Sequence, residues 1–194
     1  MLIRAAREAD ALAMGHVMVA TYLAAHRDQI PAKAWTKGAQ EWTPEASGAA
    51  WARTLRQIAA GQRHGKCIFV AEDQGGDLVG LAMGGPMDVD DQQQVGAVYA
   101  LYVRHSHQGR GLGRRLVRAV AADLAAHGRT ALRIGCLAAN APARRCYEAL
   151  GGRVVGERLF DEEGMLLPEV VYAWPDIQTL APEGQPHPAE RRSA

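Results

Sequence analysis

The segment Gln108-Gly-Arg-Gly-Leu-Gly113 constrains the fold of this chain most strongly, because it places three glycines at alternate positions. A β-rich run, residues 95–103, ends shortly before it, and an amphipathic helical pattern, residues 112–127, begins inside it. The sequence therefore predicts a strand, a tight turn and a helix N-terminus in direct succession. The first N–H groups of a helix lack intrahelical partners and carry partial positive charge. Such a turn is suited to hold a pyrophosphate group.

The composition indicates a globular protein without an obvious polyanionic partner. The chain has 194 residues, 48% of them hydrophobic and 22% charged, and its net charge is +1. That balance gives no electrostatic case for nucleic acid or an anionic membrane. The three cysteines include no C-x-x-C pair, which is typical of reduced thiols. We find no signal-peptide pattern and no apolar run near the roughly 20 residues that span a bilayer, and we expect a cytoplasmic protein.

Periodicity and turn residues predict the element order β-α-α-β-β-β-α-β-α-β-β. The predicted strands are residues 2–6, 67–72, 78–83, 95–103, 130–137, 153–160 and 166–174. The predicted helices are residues 7–25, 44–60, 112–127 and 141–150, and the first has an apolar stripe of Leu12, His16, Val19 and Leu23. This alternation predicts a mixed α/β fold with helices on the faces of a central sheet. We expect a single domain over residues 1–174 and a flexible C-terminal tail over residues 175–194.

Two segments and the order of elements together resemble the GNAT (GCN5-related N-acetyltransferase) superfamily. Gln108–Gly113 matches that family's Q/R-x-x-G-x-G/A acetyl-CoA signature. Asn140–Gly151, with the sequence N-A-P-A-R-R-C-Y-E-A-L-G, matches its N-x-x-A-x-x-x-Y-x-x-x-G pattern. The resemblance covers residues 2–174. It implies a GNAT-like, mostly antiparallel sheet of six or seven strands flanked by about four helices.

The resemblance implies binding of acetyl-CoA as acyl donor. The glycine turn would hold the pyrophosphate, and strand 95–103 would splay from its neighbour so that its backbone pairs with the pantetheine arm. The Val103 N–H would point at the thioester carbonyl, and Tyr147 would give a proton to the departing thiolate. The expected catalytic residues are Tyr147 and Val103. The expected cofactor-binding residues are Leu101, Tyr102, Val103, Gln108, Gly109, Arg110, Gly111, Leu112, Gly113, Arg114, Asn140, Ala143 and Tyr147.

The chain departs from the family pattern at Gly152, where an aromatic residue is usual. It also departs at Ala97 and Tyr99, on a strand where many members carry a catalytic glutamate. The sequence therefore leaves the identity of the general base undecided. The candidates are Glu72, Asp88, Asp90, Asp91, His105 and an ordered water, although each acid taken singly is more often a solvated turn residue.

Ordinary structural roles compete with several functional ones. The glycine turn alone can serve as a tight strand-to-helix connection, and Tyr147 can be a core tyrosine. Asn140 is expected to cap its helix. His105 and His107 lack a third ligand at suitable spacing, so we expect no metal. Three tryptophans either line an acceptor pocket or anchor the core: Trp35, Trp42 and Trp51.

These features predict an N-acetyltransferase in which a primary amine attacks acetyl-CoA directly in a ternary complex. Cys146 points about 100° away from Tyr147 on the helix, which disfavours an acetyl-enzyme. The alternative is a non-catalytic acyl-CoA-binding module or sensor. A nicotinamide-dependent oxidoreductase is disfavoured, since the spacing is G-x-G-x-G and no acid follows the next strand. Open points are the acceptor (small amine, amino acid, antibiotic, peptide N-terminus or lysine), the acyl length, and whether the chain is a homodimer like many proteins resembling it.

Overall fold

The computed structural model describes residues 1–27, 35–36, 40–87, 94–162 and 164–181. Its strands are β1 (Leu2–Ala5), β2 (Cys67–Glu72), β3 (Leu78–Pro86), β4 (Val95–Val103), β5 (Ala131–Leu137), β6 (Arg153–Glu162) and β7 (Met165–Trp174). Its helices are α1 (Ala11–His26), α2 (Pro44–Ala59), α3 (Leu112–Ala126) and α4 (Ala141–Ala149). None of these helices is long and apolar enough to cross a membrane. The predicted order of elements is confirmed.

The seven strands form one sheet in the order β1-β2-β3-β4-β5-β7-β6. Neighbouring strands are antiparallel except β4 and β5, which run parallel. A parallel pair needs a long crossover connection, and α3 provides it. The predicted mostly antiparallel sheet of six or seven strands, flanked by about four helices, is confirmed.

Two separate cores cover the two faces of the sheet. The first core joins α1 and α2 to residues of β2 and β3, including Met14, Trp51 and Leu81. The second core joins α3 and α4 to β3, β4, β5 and β7, and it includes Ala82 and Leu116. Leu81 and Ala82 belong to different cores because successive side chains of a strand point to opposite faces. The core to which a strand residue belongs therefore shows which face of the sheet its side chain occupies.

The predicted apolar stripe of α1 is partly wrong. Val19 is buried, but Leu12 is 52% exposed and His16 also faces solvent. Met14 and Val17 are fully buried in their place. The cause is the composition of α1, which is apolar on almost every side and so has no polar face to fix its orientation.

Helices α1 and α2 cross in backbone contact. A Cβ on Gly15 would lie 2.2 Å from the Pro44 carbonyl oxygen and 2.7 Å from the Gly48 nitrogen. A Cβ on Gly48 would lie 3.0 Å from the Leu12 Cα atom. Thr43 caps α2, and its side-chain oxygen accepts a hydrogen bond from the Ala46 N–H at 3.1 Å. This close crossing fixes α2 above the sheet.

The first residues of the expected C-terminal tail pack against the domain. After β7 the chain forms a 3-10 turn, Ile177–Leu180, which packs against α3. Both Ile177 and Leu180 are buried. Two apolar side chains three residues apart fall on one side of such a turn and extend the second core. The rest of the expected tail, residues 182–194, lies outside the described residues.

Candidate active site

Strand β4 is paired with β5 over only part of its length. The register between the two strands ends at Val98 and Ile134. Tyr99 is skipped in the pairing of β4 with β3, which makes it a β-bulge. Residues 99–103 of β4 consequently diverge from residues 135–137 of β5. The gap between these two segments is here termed the splay.

The backbone of β4 presents polar groups to the splay. The Arg104 N–H donates to the Val79 carbonyl on β3 at 2.8 Å. Because backbone groups of successive strand residues point to opposite edges, the N–H groups of Leu101 and Val103 face the splay. The Val103 carbonyl accepts a hydrogen bond from Gln108 Nε2 at 2.9 Å. Gln108 thus ties the glycine turn to the end of β4.

The glycine turn needs its glycines for backbone reasons. Gly109 and Gly111 have φ angles of 72° and 76°, in the left-handed region that disfavours other residues. Gly111 is the N-cap of α3, and the first helical hydrogen bond runs from the Arg115 N–H to its carbonyl at 3.1 Å. The N–H groups of residues 112–114 therefore have no intrahelical acceptor. A Cβ on Gly111 would meet Arg114 Nη2 at 3.8 Å and nothing nearer, so the space beyond the turn is open.

The remaining residues of the motif join α3 to its neighbours. A Cβ on Gly113 would lie 3.6 Å from Cys146 Sγ and 3.8 Å from Leu101 Cδ2, so α3, α4 and β4 meet there. Leu112 is buried in the second core. Two exposed side chains add positive charge at this helix end: Arg110 and Arg114.

Asn140 starts α4. Its Oδ1 atom accepts a hydrogen bond from the Ala143 N–H at 3.2 Å, which confirms the predicted cap. Ala143 packs against the second core. On the same helix, Arg144 donates to the Tyr172 hydroxyl at 3.2 Å, and that hydroxyl donates to Glu148 at 2.8 Å. These bonds hold α4 against β7.

Tyr147 lies on the buried side of α4 and is 4% exposed. Its ring makes edge contacts with Tyr172 and Trp174, with centroids 5.6 and 6.4 Å apart. Burial raises the pKa of the phenol far above its usual range, and the nearby Cys136 and Tyr102 raise it further. Because Cys136 belongs to β5 and Tyr102 to β4, the phenol interacts with both strands that border the splay. It is protonated at neutral pH.

The glycine at position 152 is explained by Trp174. A Cβ on Gly152 would lie 2.6 Å from Trp174 Cζ2 and 2.9 Å from the Tyr147 carbonyl oxygen. The indole N–H of Trp174 donates to the Leu150 carbonyl at 2.8 Å. The ring of Trp174 therefore fills this space, and β7 supplies the aromatic group beside Tyr147.

A cavity of about 370 Å³ lies between α1, α2 and β3. Its walls include Trp42, Trp51, Met18 and Met83, and the other lining residues are Glu41, Ala46, Ser47, Ala50 and Thr54. Across the described part of the chain, the buried indole N–H of Trp51 has no hydrogen-bond partner. Met83 is paired with Ala100 of β4, so the cavity lies one strand away from the splay.

Trp35 lies apart from this cavity. Its indole N–H donates to the Leu23 carbonyl at 3.0 Å, and the Arg27 guanidinium lies 5.8 Å from its ring centroid. Trp35 therefore anchors the end of α1, whereas Trp42 and Trp51 line the cavity.

The described candidates for the general base are distant from the splay or exposed. Glu72 accepts a hydrogen bond from Arg4 Nε at 2.9 Å, and its strand β2 lies two strands from β4. His105 is exposed in a 3-10 turn before the glycine turn. Three candidates lie outside the described residues: Asp88, Asp90 and Asp91. Among the residues that the structure describes, no group of three or more His, Cys, Asp or Glu side chains could hold a metal ion.

Comparison with known proteins identifies relatives in sequence. Residues 32–152 match the Acetyltransferase (GNAT) family. The chain is 33% identical over 115 residues to the uncharacterized N-acetyltransferase YuaI of Bacillus subtilis (strain 168). That match covers 59% of this chain and 66% of YuaI, just under two thirds of the relative's length.

Solved structures share the fold. One is yncA of Salmonella typhimurium with its cofactor acetyl-CoA, with a TM-score of 0.65, 21% identity and coverage of 97% of this chain and 98% of that one. Another is a GNAT superfamily phosphinothricin acetyltransferase from Sinorhizobium meliloti in complex with acetyl-CoA. It has a TM-score of 0.66, 19% identity and coverage of 96% of this chain and 93% of that one.

Proposed function

Because the chain belongs to the GNAT acetyltransferase family, we propose that it transfers an acetyl group from acetyl-CoA to a primary amine by direct attack in a ternary complex. The observation that carries this proposal is the splay. Backbone groups of β4 face into the splay, and the Tyr147 phenol lies beside it. The glycine turn lies at one end. An extended donor with an anionic end fits such an opening.

The residues of the splay and the glycine turn fit acetyl-CoA as a substrate. The backbone of Leu101 and Val103 would pair with the pantetheine arm as an added strand does, with Tyr102 between them facing the first core. The N–H groups of residues 112–114 would bind the pyrophosphate, and Arg110 and Arg114 add charge beside it. Complexes of the two relatives in fold with acetyl-CoA support this choice of donor.

The chemistry assigns one role to each of two groups. The amine nitrogen attacks the thioester carbonyl carbon, and the Val103 N–H stabilises the charge that develops on the oxygen. As the C–S bond breaks, Tyr147 gives its proton to the thiolate. A free thiol has a pKa of about 8.5 and a tyrosine about 10, so this transfer is uphill by about 2 kcal/mol in water. The thiolate forms in the same buried site, where its charge is penalised as the phenolate's is.

Direct attack is supported by the state of the cysteines. Burial raises the pKa of Cys67 to about 12 and that of Cys136 to about 11, and burial also raises the pKa of Cys146. A cysteine acts as a nucleophile in its thiolate form. These thiols stay protonated at neutral pH, so an acetyl-cysteine intermediate has no activated residue to form on.

The cavity between α1 and α2 supports a class of acceptor. Two tryptophans and two methionines give it an apolar wall. We infer that the acceptor carries an apolar or aromatic group that enters this cavity.

Filling the cavity should weaken the binding of the amine alone. Ala49 and Ala50 are both exposed on α2, but only Ala50 lines the cavity. The variant Ala50→Phe is expected to raise the KM of the amine by about tenfold, or ~1.4 kcal/mol, without a change in acetyl-CoA affinity. Ala49→Phe is the matched control and should stay within about twofold of the unaltered protein. Equal effects of both variants in steady-state kinetics would place the acceptor elsewhere.

Binding of acetyl-CoA tests the proposed function first. Calorimetric titration is expected to give a micromolar or tighter Kd for acetyl-CoA and no heat with NADH. An amine screen that measures thiol release then tests turnover. The absence of heat with acetyl-CoA would contradict the donor assignment.

A non-catalytic acyl-CoA-binding role is the second candidate. It is favoured by β4, where Ala97 is buried and the Tyr99 phenol donates to the Pro86 carbonyl, so neither position supplies a carboxylate base. Tight binding of acetyl-CoA without turnover of any amine in the screen would establish this second role.

A further inference from the structure

One face of β5 and β7 carries a carboxylate next to the splay. Cys136 on β5 and Val170 on β7 belong to the second core. Because side chains alternate along a strand, Gly135 and Glu169 lie on the opposite face, which is also the face of α1 and α2. Here α1 packs on β3 and β4. Glu169 therefore lies on the acceptor's side of the sheet.

Glu169 is buried on this face, with only 8% of the residue exposed. Its partner across the edge of the sheet is Arg158 of β6, whose Nε donates to the Glu169 Oε2 atom. The other oxygen, Oε1, points towards β5 and would lie 2.3 Å from a Cβ on Gly135. A glycine at position 135 thus leaves the room that the carboxylate occupies.

The Glu169 carboxylate lies at the mouth of the splay. Gly135 is the first residue of β5 beyond its register with β4. Burial raises the pKa of Cys136 to about 11; Arg144 lowers it and the Glu169 carboxylate raises it. Cys136 also interacts with the Tyr147 phenol. Tyr147 and Glu169 therefore flank the same part of β5 from opposite faces of the sheet.

We propose that the Glu169 carboxylate binds the ammonium group of the acceptor and takes its proton, an inference that rests on the proposed N-acetyltransferase activity. The ammonium loses one proton to Oε1, directly or through one water. The free amine attacks the thioester, so that a C–N bond forms and the C–S bond breaks. Tyr147 protonates the thiolate, and its phenolate regains through solvent the proton that the positively charged nitrogen loses as the amide forms. The proton on Glu169 leaves to bulk water.

This role also selects among amines. An α-amino group has a pKa of about 8, whereas an alkylammonium such as that of lysine has about 10.4. Any carboxylate therefore removes a proton more easily from an α-amino group. An amide of an apolar amino acid combines such an amine with an apolar side chain for the cavity. The acceptor class is accordingly an apolar amino-acid derivative or peptide N-terminus.

A cross-strand ion pair that only stabilises the sheet is the competing explanation for Glu169. This explanation predicts that removing either partner changes kcat/KM to the same extent. The exposures of the two side chains differ, however, at 56% for Arg158 and 10% for Glu169. Variants of the two partners therefore separate a role in the reaction from a role in the sheet.

The decisive experiment compares Glu169→Gln with Arg158→Gln. The acceptors are L-phenylalaninamide and 2-phenylethylamine, and the readouts are kcat/KM, acetyl-CoA affinity and thermal melting. Glu169→Gln should lower kcat/KM about 100-fold or more, with unchanged acetyl-CoA affinity and partial recovery at high pH, where free amine is abundant. The kcat/KM of Arg158→Gln should stay within about threefold of the unaltered protein, although this variant should melt at the lower temperature because it leaves the buried carboxylate without its partner. The kcat/KM of Glu169→Asp, which keeps the negative charge, should lie between the values of these two variants.

Equal losses of kcat/KM in Glu169→Gln and Arg158→Gln, or no loss in either, would show that Glu169 serves the sheet alone and overturn the inference. That result leaves the N-acetyltransferase activity of the unaltered protein intact. Binding of acetyl-CoA without turnover of either amine by the unaltered protein would instead refute the proposed function, and the role of Glu169 with it.

Discussion

Replacing Tyr147 with phenylalanine is expected to lower turnover about 100-fold or more, within the range typical of a lost general acid. The phenylalanine ring keeps the edge contacts with Tyr172 and Trp174, so the core stays packed. Acetyl-CoA affinity and the melting temperature should change little. The measurement is thiol release at saturating acetyl-CoA, with calorimetry and thermal melting on the same samples. Because burial raises the pKa of the phenol, its ability to donate persists as pH rises through the ordinary tyrosine range.

Tyr172→Phe is the matched control for this prediction. Tyr172 is fully buried in the same core, but its hydroxyl is engaged by Arg144 and Glu148. Removal of this hydroxyl should lower the free energy of unfolding by about 1 kcal/mol for a lost hydrogen bond. Turnover should stay within about threefold of the unaltered protein. If Tyr147→Phe turns over as fast as the unaltered protein, then Tyr147 is only a core residue and the proton reaches the thiolate from elsewhere.

Local sequence signals were sufficient for most of the fold. Residues 95–103 form a continuous apolar run that is rich in β-forming residues, and β4 has the predicted bounds. Asn140 and Thr43 precede helical patterns and cap them as expected. Such signals depend on neighbours in the chain, which is why the order of elements follows from the sequence. The sequence does not predict which side of α1 faces the core, because this helix is apolar on almost every side.

Features that depend on contacts between distant strands were not predictable from local patterns. The splay opens at Tyr99 because β3 and β5 pair differently with β4, and nothing in the sequence of β4 marks that residue. Glu169 is an acid, and acidic residues are mostly exposed to solvent. Its burial depends on the missing side chain of Gly135, a residue 34 positions earlier that the sheet brings alongside. The space taken by Trp174 above Gly152 has the same long-range origin.

Replacing Gly111 with leucine is expected to weaken acetyl-CoA binding at least about tenfold, or ~1.4 kcal/mol. The backbone at Gly111 has a φ of 76°, and the space beyond it is open. A leucine side chain would project into the region where a pyrophosphate approaches the N–H groups of residues 112–114. Calorimetry with acetyl-CoA measures the loss directly, and it requires no knowledge of the acceptor.

Strain at Gly111 must be separated from lost ligand contact, and Gly128 makes that possible. Gly128 follows the other end of α3 with a φ of 81°, and a Cβ there would meet nothing within 4 Å. Leucine in a left-handed conformation costs about 1–2 kcal/mol at either position, so both variants should melt at similarly lowered temperatures. Only Gly111→Leu should lose acetyl-CoA affinity, because only that end of α3 has N–H groups without acceptors. Equal affinities in the two variants would mean that the glycine turn connects strand to helix and binds no phosphate.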